Sequence, residues 1–335
     1  MRHVRIYRAR PSLKGGVVKP IKRIASILLG LLISVASLWL AVRNIKWLET
    51  AEAIRSLDLL LLISAIGFLI AGLFLRAERW SVIIARPVAR MAVYQATMLG
   101  FFFNYVYPAR AGDVIKIVGL QRSTGISIGW LGVSGVVDRL ADILVLLFSA
   151  VLLMKALPSV NLGDNYFYIA SAGLLLLVMV GFSPMGDKLL RGLNRWLVFG
   201  RRETRRRALL KRALDGLLFF RQNMVHGKRL AKLAGITALV ALADYFSIYF
   251  LLFAFGWHLP YVAPVAIWVF ISAGAALPSA PAGIGVHQLA CVMGLKLFGV
   301  SSGDAVALSF LLQLGSFIAI LLAMLGLLGL RFKKD

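Results

Sequence analysis

Asn104-Tyr-Val-Tyr-Pro-Ala-Arg-Ala-Gly-Asp113 breaks a segment, residues 91–129, whose reading decides the fold. The apolar part before the break, Met91 to Tyr107, is short for a membrane crossing and stops at Pro108. The part after it, Ala109 to Arg122, carries Arg110, Asp113, Lys116 and Arg122. Neither arm has the ~20 consecutive apolar residues that span ~30 Å of hydrocarbon. The flanks settle what the segment does. An apolar run over about 57–75 ends in Arg76, Glu78, Arg79, Arg86 and Arg90, a basic flank that belongs on the cytoplasmic side. Another long run covers about 130–153, and a fourth, about 166–183, enters the most basic stretch of the chain. From Pro184 to Lys232 there are 14 Lys and Arg against Asp187, Glu203 and Asp215, so that loop is also expected inside. Parity then requires 91–129 to begin and end on the cytoplasmic side. Two full crossings or a re-entrant hairpin satisfy this; the short, polar or Pro-broken arms favour the hairpin, which must be packed within the protein or line a cavity, because lipid does not tolerate unpaired backbone.

The rest of the chain agrees with a membrane protein. It has 335 residues, 60% of them hydrophobic, and a mean hydropathy of +0.85. Lys and Arg number 38 against 14 Asp and Glu. With hydropathy this high, the charge excess reads as attraction to anionic lipid and cytoplasmic loops, and no nucleic acid partner is expected. One cysteine, Cys291, excludes an intrachain disulfide, and His3, His226, His258 and His287 show no metal-ligand spacing. No cofactor, metal site or catalytic set is expected. Residues 1–23 are basic without an acid and should be a cytoplasmic N-terminus, followed by a retained anchor at about 24–42 rather than a cleaved signal. Residues 24–335 then form a single transmembrane domain.

The second half repeats the logic in the opposite orientation. A span at about 231–255 leaves the basic loop of 184–232, and a last span at about 304–330 ends in Arg331-Phe-Lys-Lys-Asp335, expected inside. Residues 262–298 must therefore begin and end outside. They too are broken, at Leu277-Pro-Ser-Ala-Pro-Ala-Gly-Ile-Gly-Val286. Pro108 to Gly125 is 17 residues and Pro281 to Gly299 is 18; Pro108 to Arg139 is 31 and Pro281 to Gln313 is 32. The expected fold is an all-α integral membrane protein of about six full spans plus two re-entrant hairpins. These form an inverted repeat, with repeat one at about 57–153 and repeat two at about 231–330. Such repeats with broken helices in matching positions are the sequence sign of a transporter whose site lies near mid-membrane.

Several residues can carry chemistry there. Asp138-Arg139-Leu-Ala-Asp142 lies inside a span, and each charge at such depth costs roughly 2.5–3.5 kcal/mol on insertion scales. The cluster therefore faces protein or water. It either binds an anionic headgroup through Arg139 or neutralises itself and holds the hairpin. At the first break Arg110, Asn104 and free helix N–H groups suit a phosphate, while Asp113 can pair with Arg110. At the second break Gly283 and Gly285 allow close backbone approach, with His287 and Gln288 as the polar groups. Arg76, Glu78 and Arg79 read as an inner-leaflet landing site or a stop-transfer flank. Asp244 stands as an unpaired-looking acid within a span.

The string Arg79-Trp80, Gly100 to Asp113, Gly125, Asp138-Arg139-Leu-Ala-Asp142 and Leu277 to Gln288 resembles the lysylphosphatidylglycerol synthase transmembrane region family, also called flippase-like or uncharacterised protein family 0104. The resemblance covers about 57–330. It implies a bacterial or archaeal cytoplasmic-membrane protein, with both termini cytoplasmic, that moves lipid-linked headgroups between leaflets. The chain stops at Asp335, so the aminoacyl transferase that follows this region in full synthases is expected to be absent. Gln313 stands where the second charged motif of the family would place a basic residue, which leaves Arg110 and Arg139 as the stronger headgroup contacts. The expected partners are an anionic phospholipid or lipid-linked substrate, the membrane, and a second copy of the chain or envelope biosynthesis enzymes. An intramembrane transferase acting on a polyprenyl- or phospholipid-linked substrate, and a scaffold of an envelope synthesis complex, are the alternatives.

Overall fold

Helix length sorts the elements before any packing is considered. The computed structural model describes residues 32–43, 55–107, 111–157, 227–277 and 279–332, with isolated positions at 188, 191, 192 and 218; side chains are described as far as 328. Every long element among them is helical. In chain order they are α1 (Leu32–Val42), α2 (Leu59–Ile84), α3 (Arg90–Val106), α4 (Ala111–Thr124), α5 (Ile128–Ala156), α6 (Gly227–Ala254), α7 (Ala263–Gly274), a 3₁₀ turn (Pro281–Gly283), α8 (Val286–Lys296) and α9 (Ser302–Phe332). At ~1.5 Å per residue, α2, α5, α6 and α9 are each longer than the hydrocarbon is thick. Three of them, α2, α6 and α9, are also apolar enough to cross a membrane. The fourth, α5, has the length but carries Asp138, Arg139 and Asp142. The arms α3, α4, α7 and α8 hold 17, 14, 12 and 11 residues, too short to cross unaided.

The short helices pair within each half, α3 against α4 and α7 against α8. In the first pair the crossing is as close as backbone allows. A Cβ on Gly112 would sit 1.8 Å from the carbonyl oxygen of Gly100, so no other residue fits. The second break is held by backbone in the left-handed region: Gly283 has φ +75° and Gly285 φ +88°. A Cβ on Gly285 would lie 2.0 Å from the carbonyl oxygen of Ser34 in α1, and the Ser34 hydroxyl accepts from the Ala280 N–H at 2.7 Å. The anchor helix α1 thus seats directly on this break.

The long helices form the frame. The most extensive contact joins α2 to α6, which meet through small residues; Gly72 of α2 leaves room for Ala243 and Asp244 of α6. Helix α9 packs on α2, α3 and α8. One apolar core gathers Ile248, Leu251 and Ile267 with Leu308 and Leu312; another, at the opposite end of α2, gathers Trp80, Val93, Leu120 and Leu131. Polarity is distributed the reverse of a water-soluble protein. Arg79 is 1% exposed and Asp138 7%, whereas Phe148 is 66% and Leu325 63% exposed. Lipid is the surrounding that makes such an arrangement stable.

The helix α2 runs nine residues past the expected end of its span, to Ile84. Hydropathy falls at Arg76 because charges begin there, but those charges point into the protein and the helix continues. The anchor expected from about 24 is described from Leu32. The N-terminal segment 1–23, the span at 166–183, nearly all of the basic loop 184–226 and Arg110 lie outside the described residues.

Candidate functional site

The site starts on α5. Ser127 caps it, and about 15 Å along the helix Asp138 and Asp142 present carboxylates one turn apart on the same face. Opposite them α2 offers Arg76, Arg79 and Trp80, which share a face by the same spacing. The Arg79 Nε donates to Asp138 Oδ1 at 2.9 Å, and its Nη2 to Asp142 Oδ1 at 2.6 Å and to the Asp138 carbonyl at 3.4 Å. One planar guanidinium thus bridges a full turn of α5, which a lysine ammonium would not do.

The remaining oxygens are taken from α4. Lys116 Nζ donates to Asp138 Oδ2 at 3.1 Å and lies 4.3 Å from the centre of the Trp80 ring, whose Nε1 donates to Ser134 Oγ at 3.0 Å. Arg139 turns the other way. Its Nη2 reaches both oxygens of Asp113 at 2.6 Å, and its Nη1 is 3.6 Å from Asp142 Oδ2. Asp113 also accepts from Asn104 Nδ2 at 3.4 Å, while Asn104 Oδ1 accepts the Gly112 N–H at 2.9 Å across the hairpin. Arg76 completes the set by donating to Asp244 of α6 at 2.5 Å; the same Asp244 oxygen accepts the Trp268 Nε1–H of α7 at 3.0 Å. Four bases, Arg76, Arg79, Lys116 and Arg139, meet four acids, Asp113, Asp138, Asp142 and Asp244.

All of these but Asp244 line a cleft between α2, α5 and the α3–α4 hairpin, together with Thr97, Gly100 and Phe101. Its free space is about 30 Å³. That admits water and no lipid headgroup. The cleft has an exposed rim and a closed floor: the Asp113, Arg139 and Asp142 side chains are 32%, 38% and 35% exposed, and those of Arg79, Lys116 and Asp138 1%, 10% and 10%.

A neutral polar constellation occupies the second break. Gln288 Oε1 accepts the Gly285 N–H at 2.7 Å, Gln288 Nε2 donates to Gln313 Oε1 at 2.9 Å, and Gln313 Nε2 donates to the Ala282 carbonyl at 2.7 Å. Tyr105 of α3 donates to the Gln313 carbonyl at 3.3 Å, which ties the first hairpin to α9. His287 stands apart, with a buried Nδ1 that has no hydrogen-bond partner.

Three expectations are corrected. Asp244 is not an unpaired acid, since Arg76 and Trp268 both hold it. Arg79 is neither a headgroup landing site nor a stop-transfer flank, being fully buried in the floor of the cleft. Glu78 binds Lys232 at 3.1 Å, lies 3.9 Å from Arg90 and accepts from Tyr94 at 3.1 Å, so it fastens α2 to α6 and α3. Asp113 pairs with Arg139. Lys116 was not singled out: on a short amphipathic segment a lysine looks like a side chain reaching for water. The one local hint is its place three residues after Asp113.

The chain is similar to the UPF0104 membrane protein MJ1078 of Methanocaldococcus jannaschii, with 25% identity over 232 residues that cover 66% of this chain and 90% of that protein. No solved structure matches it. The model of the lysylphosphatidylglycerol synthase TM region matches residues 27–323, nearly the whole of what has been described, and the chain belongs to that family.

Proposed function

We propose that this protein is a lipid flippase of a bacterial or archaeal cytoplasmic membrane, passing an anionic or lipid-linked headgroup between leaflets through the cleft while the tails stay in lipid. One observation carries the reading: a cluster of paired acids and bases on α2, α4, α5 and α6 lies around a cleft whose rim is about a third exposed. A purely structural cluster has no need of a rim. The family's description names an enzyme of phospholipid aminoacylation, which supports a phospholipid-type ligand.

The rim supplies the chemistry. A phosphate offers Arg139 the same bidentate acceptor that Asp113 now offers, so a headgroup can exchange with Asp113 without leaving the guanidinium unpaired. Asp113 is on α4, and its release frees the second arm of the hairpin to move. The present cleft, with room for water alone, is then the closed state. Asn104 remains on Gly112 and keeps the break intact. Arg110 adds a further guanidinium beside Asp113 in sequence.

The same reading takes the chain as an inverted repeat of about six spans and two re-entrant hairpins, with both termini and the loop 184–232 cytoplasmic. Repeat one covers about 57–153, repeat two about 231–330, and residues 1–23 precede the single transmembrane domain. Two pairs of contacts support it. Gly112 and Gly285 are both positions of forced backbone approach, and Arg139 and Gln313 each reach from a long helix to the second arm of a hairpin, to Asp113 and Gln288.

Leaflet exchange of labelled anionic phospholipid in proteoliposomes tests the reading. Wild type should exchange label, and Arg139→Ala, with its folding verified by size-exclusion and thermal unfolding, should lose at least about tenfold in rate, the equivalent of one charge-assisted hydrogen bond. Full exchange by Arg139→Ala would remove the headgroup role of the rim. No exchange by folded wild type with any lipid class would favour a transferase or scaffold.

A further inference from the structure

We infer that transport is coupled to protons, with Asp244 as the residue that carries the proton; the inference rests on the flippase reading above. Within the described cluster every acid has a base, so an anionic headgroup that enters must displace a carboxylate. At the rim this is tolerable, because Asp113 and Asp142 are about a third exposed and reach water. Arg76 is different. Its guanidinium lines the cleft, but its acid does not: Asp244 stands behind it on α6 and is 8% exposed.

A phosphate that takes Arg76 therefore strips Asp244 of its charged partner and leaves it buried with one neutral donor, the Trp268 Nε1–H at 3.0 Å. An isolated carboxylate in such surroundings is stabilised by taking up a proton. Among the described residues Arg76 is the one cation in contact with Asp244. From α5, Asp138, Asp142 and Arg139 share the cleft with Arg76, and the cleft's other cations, Arg79, Lys116 and Arg139, are already paired with Asp138, Asp142 and Asp113. On α6 itself Tyr245 is turned to Ser149 and stacks edge-on with Trp268. Helix α7 contributes Trp268, which is uncharged. Gly72 makes the pocket, since a Cβ there would meet Arg76 Nη1 at 3.1 Å and Asp244 Oδ1 at 3.6 Å.

The step balances. One anion enters and binds Arg76, one proton binds Asp244, and the cluster stays neutral. On release to the other leaflet the proton leaves as Arg76 returns. The overall process is electroneutral symport of one proton with one anionic headgroup. Trp268 adds a mechanical consequence: through it the state of Asp244 is felt by α7, and so by the second hairpin.

The test is a pH gradient across proteoliposomes containing labelled phosphatidylglycerol, with the leaflet distribution read by quenching of the outer label and internal pH by a trapped dye. Wild type should concentrate label in the leaflet on the alkaline side, by up to about tenfold per pH unit at equilibrium for one proton per lipid. Asp244→Asn should equilibrate label between leaflets without accumulation and without proton uptake. Trp268→Phe, which keeps the ring but not the donor, should retain accumulation and shift the pH at which half-maximal rate is reached. Exchange by wild type that ignores the gradient, or accumulation retained by Asp244→Asn, would overturn proton coupling and leave the flippase reading standing. If Asp244→Asn fails to fold, a wild-type exchange insensitive to the gradient still decides against it. Absence of all exchange would fail the flippase reading itself.

Discussion

Arg79 holds two aspartates that lie one helical turn apart, and it does so at 1% exposure in the floor of the cleft. Removing one partner of a buried ionic network is costly because the other charges stay buried. Arg79→Leu should therefore lower stability in detergent by about 3–5 kcal/mol. Arg79→Lys should recover only part of this, because an ammonium reaches Asp138 or Asp142 and not both. Thermal unfolding of the three proteins side by side checks the order. Equal stability of Arg79→Leu and wild type would mean that Asp138 is held by Lys116 alone. The difference between what the sequence reveals and what it hides is plain at this scale. Asp138, Arg139 and Asp142 announce themselves because charges spaced i, i+1 and i+4 inside an apolar run are visible locally. Asp244 looked solitary because its base is 168 residues away in the chain. Arg79 looked like a flank because its neighbours Arg76 and Glu78 are charged too, and periodicity alone does not say which of three charges points inward.

At the scale of elements, interruption of apolar runs by Pro and Gly located both broken pairs, α3–α4 and α7–α8, within a few residues. Helix ends were less legible. Hydropathy ends α2 near Arg76, where backbone hydrogen bonding carries it to Ile84, since a helix needs apolar surface only where it meets lipid. The packing of α1 on the second break was not legible at all: it depends on a glycine at 285 meeting the backbone of Ser34, and no local signal links them. The arm lengths make a direct prediction. In a Cys291→Ala background, Ala89→Cys and Gly125→Cys should react with an impermeant maleimide from the same side of oriented vesicles, because both ends of a re-entrant hairpin return to one face. Labelling from opposite faces would make α3 and α4 parts of a crossing.

Among the described residues a charged cluster is buried between the helices while large apolar side chains such as Phe148 and Leu325 are exposed. Phe148 on α5 is 66% exposed although Arg79, Asp138 and Lys116 lie buried in contact with one another. On the surface of a water-soluble protein Phe148→Glu would be nearly neutral. Facing hydrocarbon, it should cost roughly 2.5–3.5 kcal/mol if it lies near mid-membrane, seen as a reduced yield of membrane-inserted protein. An unchanged yield would place that face of α5 against water or another subunit. Composition and charge were sufficient to read the membrane class and the all-helical fold, and the motif strings from Arg79 to Gln288 carried the resemblance to the family. They were insufficient to read the balance of four acids and four bases, because that balance is a property of four helices, α2, α4, α5 and α6, brought together.

The two glycines at the hairpin breaks also bear on inheritance. Every change at the first or second base of a glycine codon yields a stop or a residue with a β-carbon. At position 112 that carbon would lie 1.8 Å from a carbonyl oxygen, and at position 285 it would lie 2.0 Å from another. Neither neighbour is a side chain that can swing aside. In a library of random point variants selected for activity, these two codons should therefore admit synonymous changes alone, while the lipid-facing leucines between them drift freely among apolar residues.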